Sequence, residues 1–161
     1  LMRSSAASDV YKRQTLDGIV QVSREKVSLL QILEQIRRYM LQTLLPSARR
    51  VTIHVGGEDV IVSADCASSV ALVVNELVQN ALKYAFPSGQ AGRIGIELHS
   101  GRPLCQLTVW DNGVGFQADR PRPGGAGLEL ASTIVREKLT GEWSVESGPG
   151  GTRISFDFLE Q

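Results

Sequence analysis

The sequence predicts an α/β (α+β) two-layer sandwich: a mixed, mostly antiparallel sheet of about five strands, covered on one face by three helices. Three observations carry this prediction. Apolar residues recur at helical spacing in three separate stretches. Short runs of alternating or β-branched residues lie between and after them. Glycine and proline clusters separate the two kinds of segment.

The chain length of 161 residues allows one domain with a real core and excludes two ordinary ones. Apolar residues make up 42% and charged residues 21%, the balance of a soluble globular protein. Lys plus Arg and Asp plus Glu number 17 each, so the net charge is zero. That argues against nucleic acid or an anionic membrane as the main partner, because both select for a basic excess. No run approaches the roughly 18 apolar residues of a membrane span. The cysteines, Cys66 and Cys105, lie in apolar stretches and read as reduced, buried thiols of a cytoplasmic protein.

The elements follow in order. Leu1–Gln14 shows no apolar period and resembles the translation of a sequencing-library adapter, so it is set aside as a scar. Residues 15–26 read as a linker or the end of a missing helix. Residues 27–161 form the folded domain. From Val27 to Leu45, Val27, Leu30, Leu33, Ile36, Tyr39, Met40 and Leu44 fall at helical spacing, and Pro46 ends the pattern. Val51–Val55 alternates as a strand, and Val60–Ser63 reads as its hairpin partner across Gly56-Gly57. Ser63 or Asp65 caps a long helix to about Tyr84, with the stripe Val70, Val73, Val74, Leu77, Val78, Ala81 and Leu82; Pro87-Ser88-Gly89 stops it. Strands follow at Arg93–His99 and Leu104–Trp110. Asp111–Gly127 is a Gly- and Pro-rich loop. Leu128–Leu139 is a helix with Gly141 as its stop, and a strand-turn-strand unit over Glu142–Leu159 closes the chain.

Four segments carry chemistry. On the long helix, Glu76, Asn80, Lys83 and Tyr84 share the face opposite the apolar stripe. A carboxylate, an amide, an ammonium and an aromatic ring suit a magnesium-bound triphosphate: an oxygen ligand for the metal, a cation for phosphate and a carboxylate to orient an attacking group. The same spacing also fits a merely solvated face. Asp111-Asn-Gly-Val-Gly-Phe116 ends a strand; Gly113 and Gly115 permit close backbone approach, and Asp111 can accept from a ligand amine or simply close an Asp-Asn-Gly turn. Gly124-Gly-Ala-Gly-Leu-Glu-Leu130 opens a helix, where free N–H groups favour phosphate; it reads equally as a linker and lacks the ending of a P-loop. Gly150-Gly-Thr-Arg-Ile-Ser-Phe156 is a turn entering an alternating strand.

In this order and spacing, Asp65 to Phe158 resembles the GHKL superfamily, which includes sensor histidine kinases, type II topoisomerase ATPases, mismatch-repair ATPases and Hsp90 chaperones. Asn75–Phe86 resembles the N box in its sensor-kinase form. The resemblance implies a GHKL-type ATP-binding fold that uses ATP and Mg²⁺. It implies that Asn80 ligates the metal, Lys83 contacts phosphate, Tyr84 flanks the base and Glu76 is the catalytic base. Asp111, Gly113 and Gly115 match the G1 box, so Asp111 would read adenine. Gly125, Ala126, Gly127 and Leu128 match the G2 box around the phosphates, with Ala126 where a larger residue is usual. Phe116–Pro123 matches a short lid carrying Arg120 and Arg122, and Thr152 matches the final Gly-Thr turn.

The resemblance implies the catalytic domain of a sensor histidine kinase. The expected partners are ATP, a histidine-bearing dimerisation domain and a response regulator. His54 and His99 fall in strand-like runs and read as exposed strand residues rather than phosphoacceptors. The alternatives are a free-standing GHKL serine kinase acting on an anti-sigma antagonist, which chain length fits, or a nucleotide-binding module without turnover.

Overall fold

The computed structural model describes residues 25–45, 50–117 and 125–160. The adapter-like segment, the linker up to residue 24, Pro46, and residues 118–124, which hold most of the lid with Arg120, Arg122 and Gly124, lie outside the described residues.

The described chain runs β1 (Lys26–Ser28), α1 (Leu29–Thr43), β2 (Val51–Gly57), β3 (Ile61–Ser63), α2 (Ala64–Tyr84), β4 (Gly92–His99), β5 (Leu104–Asp111), α3 (Ala126–Glu137), β6 (Trp143–Gly148) and β7 (Gly151–Leu159). A short 3-10 turn at Pro87–Gly89 joins α2 to β4. Five strands form one sheet in the order β2-β4-β5-β7-β6. Only β2–β4 is parallel; the other three pairings are antiparallel. Strand alternation sets the two faces. Ile94, Ile96 and Leu98 of β4, Cys105, Leu107 and Val109 of β5, and Ile154, Phe156 and Phe158 of β7 are buried beneath the helices. The opposite face carries Thr52, His54, Arg93, Gln106 and Arg153, all exposed. The expected two-layer architecture is the one observed.

α2 is the spine of the helical layer. Its N-cap is Ser63, whose Oγ accepts from the Cys66 N–H at 3.2 Å. All seven residues of its expected apolar stripe are buried. Burying such a Val or Leu side chain contributes about 1.5–3 kcal/mol each before entropy is counted. α1 packs on β2 and α2 through Leu29, Leu33 and Met40, which have no exposed surface.

Four expectations are corrected. α1 begins at Leu29, not Val27, because Lys26–Ser28 pairs antiparallel with Ile61–Ser63. Ser28 is the cap, and the Asp59 carboxylate holds its Oγ at 2.7 Å and the Leu30 N–H at 3.0 Å. Tyr39 and Leu44, counted in the apolar stripe, are 55% and 38% exposed. β3 is not the hairpin partner of β2. The chain stays bonded to β4 as far as the Glu58 N–H, which donates to the Leu98 carbonyl at 2.8 Å. It then crosses to the helical layer, where the Val60 carbonyl accepts from the Leu29 N–H. Alternation identifies a strand but not its partner. Finally, the left-handed residue after α3 is Thr140 (φ 49°), with the Gly141 N–H returning to the Val135 carbonyl at 3.0 Å.

Candidate functional site

The polar face of α2 forms one wall of a narrow cleft. Glu76, Gln79, Asn80, Lys83 and Tyr84 line it with Gly127 of α3, enclosing about 100 Å³. Asn80 is 7% exposed, whereas Lys83 is exposed and Glu76 and Tyr84 are half-buried. An amide this deep on the hydrophilic side of a helix is held at the floor of a crevice rather than on a solvated face. Its side chain has no buried atom without a partner. α3 packs directly on α2. A methyl at Gly127 would stand 2.8 Å from Glu76 Oε2, so any larger residue there would displace that carboxylate. Gly125 caps α3 with no side chain to bind the first-turn N–H groups, and Ala126 and Gly127 form the start of that turn.

A second set of residues meets at the ends of β5 and β7. Asp111 and Thr152 are cross-strand partners 41 residues apart in sequence, on the helix-facing side of the sheet, and both are buried. Asp111 Oδ1 accepts from the Gly113 N–H at 2.9 Å and the Thr152 N–H at 3.3 Å. The aspartate therefore does close a turn, as the bland reading expected. In doing so it fixes the loop that follows. That loop docks on the end of α2: the Val114 N–H donates to the Ala85 carbonyl at 2.9 Å, and a methyl at Gly113 would meet that carbonyl oxygen at 2.2 Å. The backbone after Asp111 is thus fastened beside Tyr84 at the end of the helix.

The expected residues do not all share one cavity. Glu76, Asn80, Lys83, Tyr84 and Gly127 are brought together in the cleft. Asp111 and Thr152 border a separate hollow of about 420 Å³, with Trp110, Ser147 and Arg153. Leu128 borders a third, of about 530 Å³, with Phe116, Trp143 and Val145. Two residues of the site escaped the sequence reading. Gln79 sits three positions after Glu76 on the same helix face, a spacing that could have revealed it. Ser147 reaches Thr152 only through the β6–β7 register, which leaves no local signal. His54 and His99 are exposed on β2 and β4, as expected. Cys66 and Cys105 are buried and unpaired, and burial pushes the Cys66 thiol above its ordinary value, with Cys105 adding to the effect.

Comparison with known proteins assigns the class. The profile of the histidine kinase-, DNA gyrase B-, and HSP90-like ATPases matches residues 66–161, and the chain belongs to that family. Within it, the chain is a catalytic ATPase domain homologous to those of sensor histidine kinases. It is 27% identical over 128 residues to the sensor histidine kinase PdtaS of Mycobacterium tuberculosis, covering 78% of this chain and 25% of that protein. It is 31% identical over 112 residues to blue-light-activated histidine kinase 2 of Erythrobacter litoralis, covering 66% of this chain and 32% of that one. The histidine kinase domain of the E. litoralis EL346 blue-light-activated kinase superposes with a TM-score of 0.73 at 25% identity, over 83% of this chain and 62% of that chain. The chain thus spans about a quarter to a third of the length of the curated relatives it matches. Among the described residues no helix is long and apolar enough to cross a membrane.

Proposed function

We propose that the chain binds ATP with magnesium and passes the γ-phosphoryl group to a histidine on a separate dimerisation domain of its parent protein, in the cytoplasm where ATP is. The observation that carries this reading is the gathering of Glu76, Asn80, Lys83 and Tyr84 in one cleft against Gly127. The donor set fits the metal. Mg²⁺ prefers oxygen ligands and keeps waters and phosphate oxygens, so one amide oxygen from Asn80 suffices. When bound, the ion neutralises charge on the transferring phosphoryl group.

The remaining roles fall to the chain's own groups. Lys83, exposed at the cleft, is a point charge for phosphate. The uncapped first turn of α3 at Gly125, Ala126, Gly127 and Leu128 supplies N–H groups to the same end. The Glu76 carboxylate, pressed on Gly127, orients and takes the proton of the accepting group. The Tyr84 ring flanks the base. Asp111 accepts from the adenine amine, with Gly113, Gly115 and Thr152 shaping that end. The phosphoryl acceptor and a response regulator are parts of the wider signalling system. Among related folds, the histidine kinase ThkA has been solved in complex with the response regulator TrrA. The net charge of zero gives no support to a nucleic-acid partner.

Incubation with γ-labelled ATP and magnesium tests the direction of transfer. The chain alone should remain unlabelled, and an added histidine-bearing dimerisation domain should acquire acid-labile phosphate. Acid-labile phosphate on His54 or His99 of the chain itself would overturn the proposal, as would serine phosphate on an anti-sigma antagonist.

A further inference from the structure

The Asp111 end of the site rests on a residue with no assigned role. Ser147 sits on β6 directly across from Thr152 of β7. Its Oγ lies 2.7 Å from Thr152 Oγ1 and accepts from the Phe116 N–H at 2.8 Å. Thr152 is in turn joined to Asp111 by its own N–H. One hydroxyl therefore links the strand pair β6–β7 to the loop that follows Asp111. The backbone reinforces the link: Gly115 holds φ 67° and lies so close to the Gly148 carbonyl that a methyl there would stand 1.9 Å from its oxygen. The loop from Asp111 to Phe116 is thus pinned at both of its ends, by Ala85 at the tip of α2 and by Ser147 and Gly148 at the tip of β6.

We infer that Ser147 is a positioning residue for adenine recognition, an inference that rests on the ATP reading above. A serine hydroxyl has one proton and two lone pairs. One lone pair is committed to the Phe116 N–H. When the proton goes to Thr152 Oγ1, the Thr152 hydroxyl is left as a donor beside the Asp111 carboxylate. Adenine presents an exocyclic amine next to a ring nitrogen that only accepts. An acceptor at Asp111 beside a donor at Thr152 matches that pair, and Ser147 fixes the donor's direction. Without the Ser147 hydroxyl, Thr152 loses its partner and the Phe116 N–H loses its acceptor, while the cleft at Glu76 and Asn80 keeps every contact described for it.

The test uses an isosteric pair in the full chain. Ser147→Thr keeps the hydroxyl and Ser147→Val removes it, and both β-branched residues suit a strand. Each is titrated with Mg-ATP, and with inorganic tripolyphosphate by displacement of a fluorescent ATP analogue. Ser147→Thr should bind ATP within about twofold of wild type, and Ser147→Val about tenfold more weakly, the size of one well-formed hydrogen bond. The tripolyphosphate affinities of the two variants should agree. Equal ATP affinities would overturn the inference, and so would a parallel loss of tripolyphosphate binding, which marks a general structural effect. A folded wild-type chain that binds no ATP would overturn the ATP reading itself and this inference with it.

Discussion

The two ends of the candidate site are built by different rules. The cleft end comes from one helix: Glu76, Asn80, Lys83 and Tyr84 lie within nine residues, and the helical period alone puts them on one face. The strand end comes from register: Asp111, Ser147 and Thr152 are assembled by the pairing of β5 with β7 and β7 with β6. The first needs little beyond α2 and the close approach of Gly127. The second needs the sheet to be in register, because a one-residue slip sends Thr152 to the open face. On the proposed function, the phosphate end and the base end are therefore separable, and substitutions should split them.

The largest effect is expected at Asn80. Asn80→Ala removes the one oxygen ligand assigned to the metal and should weaken Mg-ATP binding by at least about a hundredfold, two decades at about 1.4 kcal/mol each. Binding measured without magnesium should change little, so titration with and without the ion isolates the cleft end. Next is Gly113→Ala, which drives a methyl into the Ala85 carbonyl. Backbone cannot yield as a side chain can, so a loss of about 2 kcal/mol in stability is expected, read by denaturant unfolding. A variant as stable as wild type would mean that the loop is not fastened to α2.

Smaller effects sharpen the contrast. Asp111→Asn keeps a carbonyl oxygen for the Gly113 and Thr152 N–H groups but loses the charge that favours an amine donor. ATP preference over GTP should fall about tenfold, as expected for a hydrogen bond to a charged group. Gly127→Ala crowds Glu76 Oε2, the far end of a mobile side chain. Affinity should stay within about twofold while ATP turnover falls about tenfold, since misplacing a catalytic group costs rate rather than binding. A fall in affinity with turnover intact would contradict the catalytic role given to Glu76. The smallest effect is a null one. Neither thiol should react with a thiol reagent in the native state, because both are buried and Cys66 stays protonated; both should react once the chain is unfolded.

The same division governs what could be read from sequence. The stripe of α2, its Ser63 cap and the face bearing Asn80 follow from local spacing and were all visible. The Asp111 loop was visible as a motif, although its anchorage on Ala85 was not. What escaped depends on pairing. Val60–Ser63 looked like the return strand of a hairpin, yet β2 takes β4 as a parallel neighbour across the whole of α2, and β3 takes β1. Ser147 could not be singled out because a serine in a short strand gains meaning only from the residue opposite. At α3 the glycine signal was one position off: Thr140 adopts the left-handed turn and Gly141 follows it.

On the proposed function, this domain binds ATP through magnesium at Asn80. Calorimetric titration of the full chain with ATP and GTP, each with and without Mg²⁺, tests it directly. A single site that prefers ATP and binds it more tightly with the ion is expected. A chain that melts cooperatively yet shows no magnesium-dependent heat with ATP would contradict it.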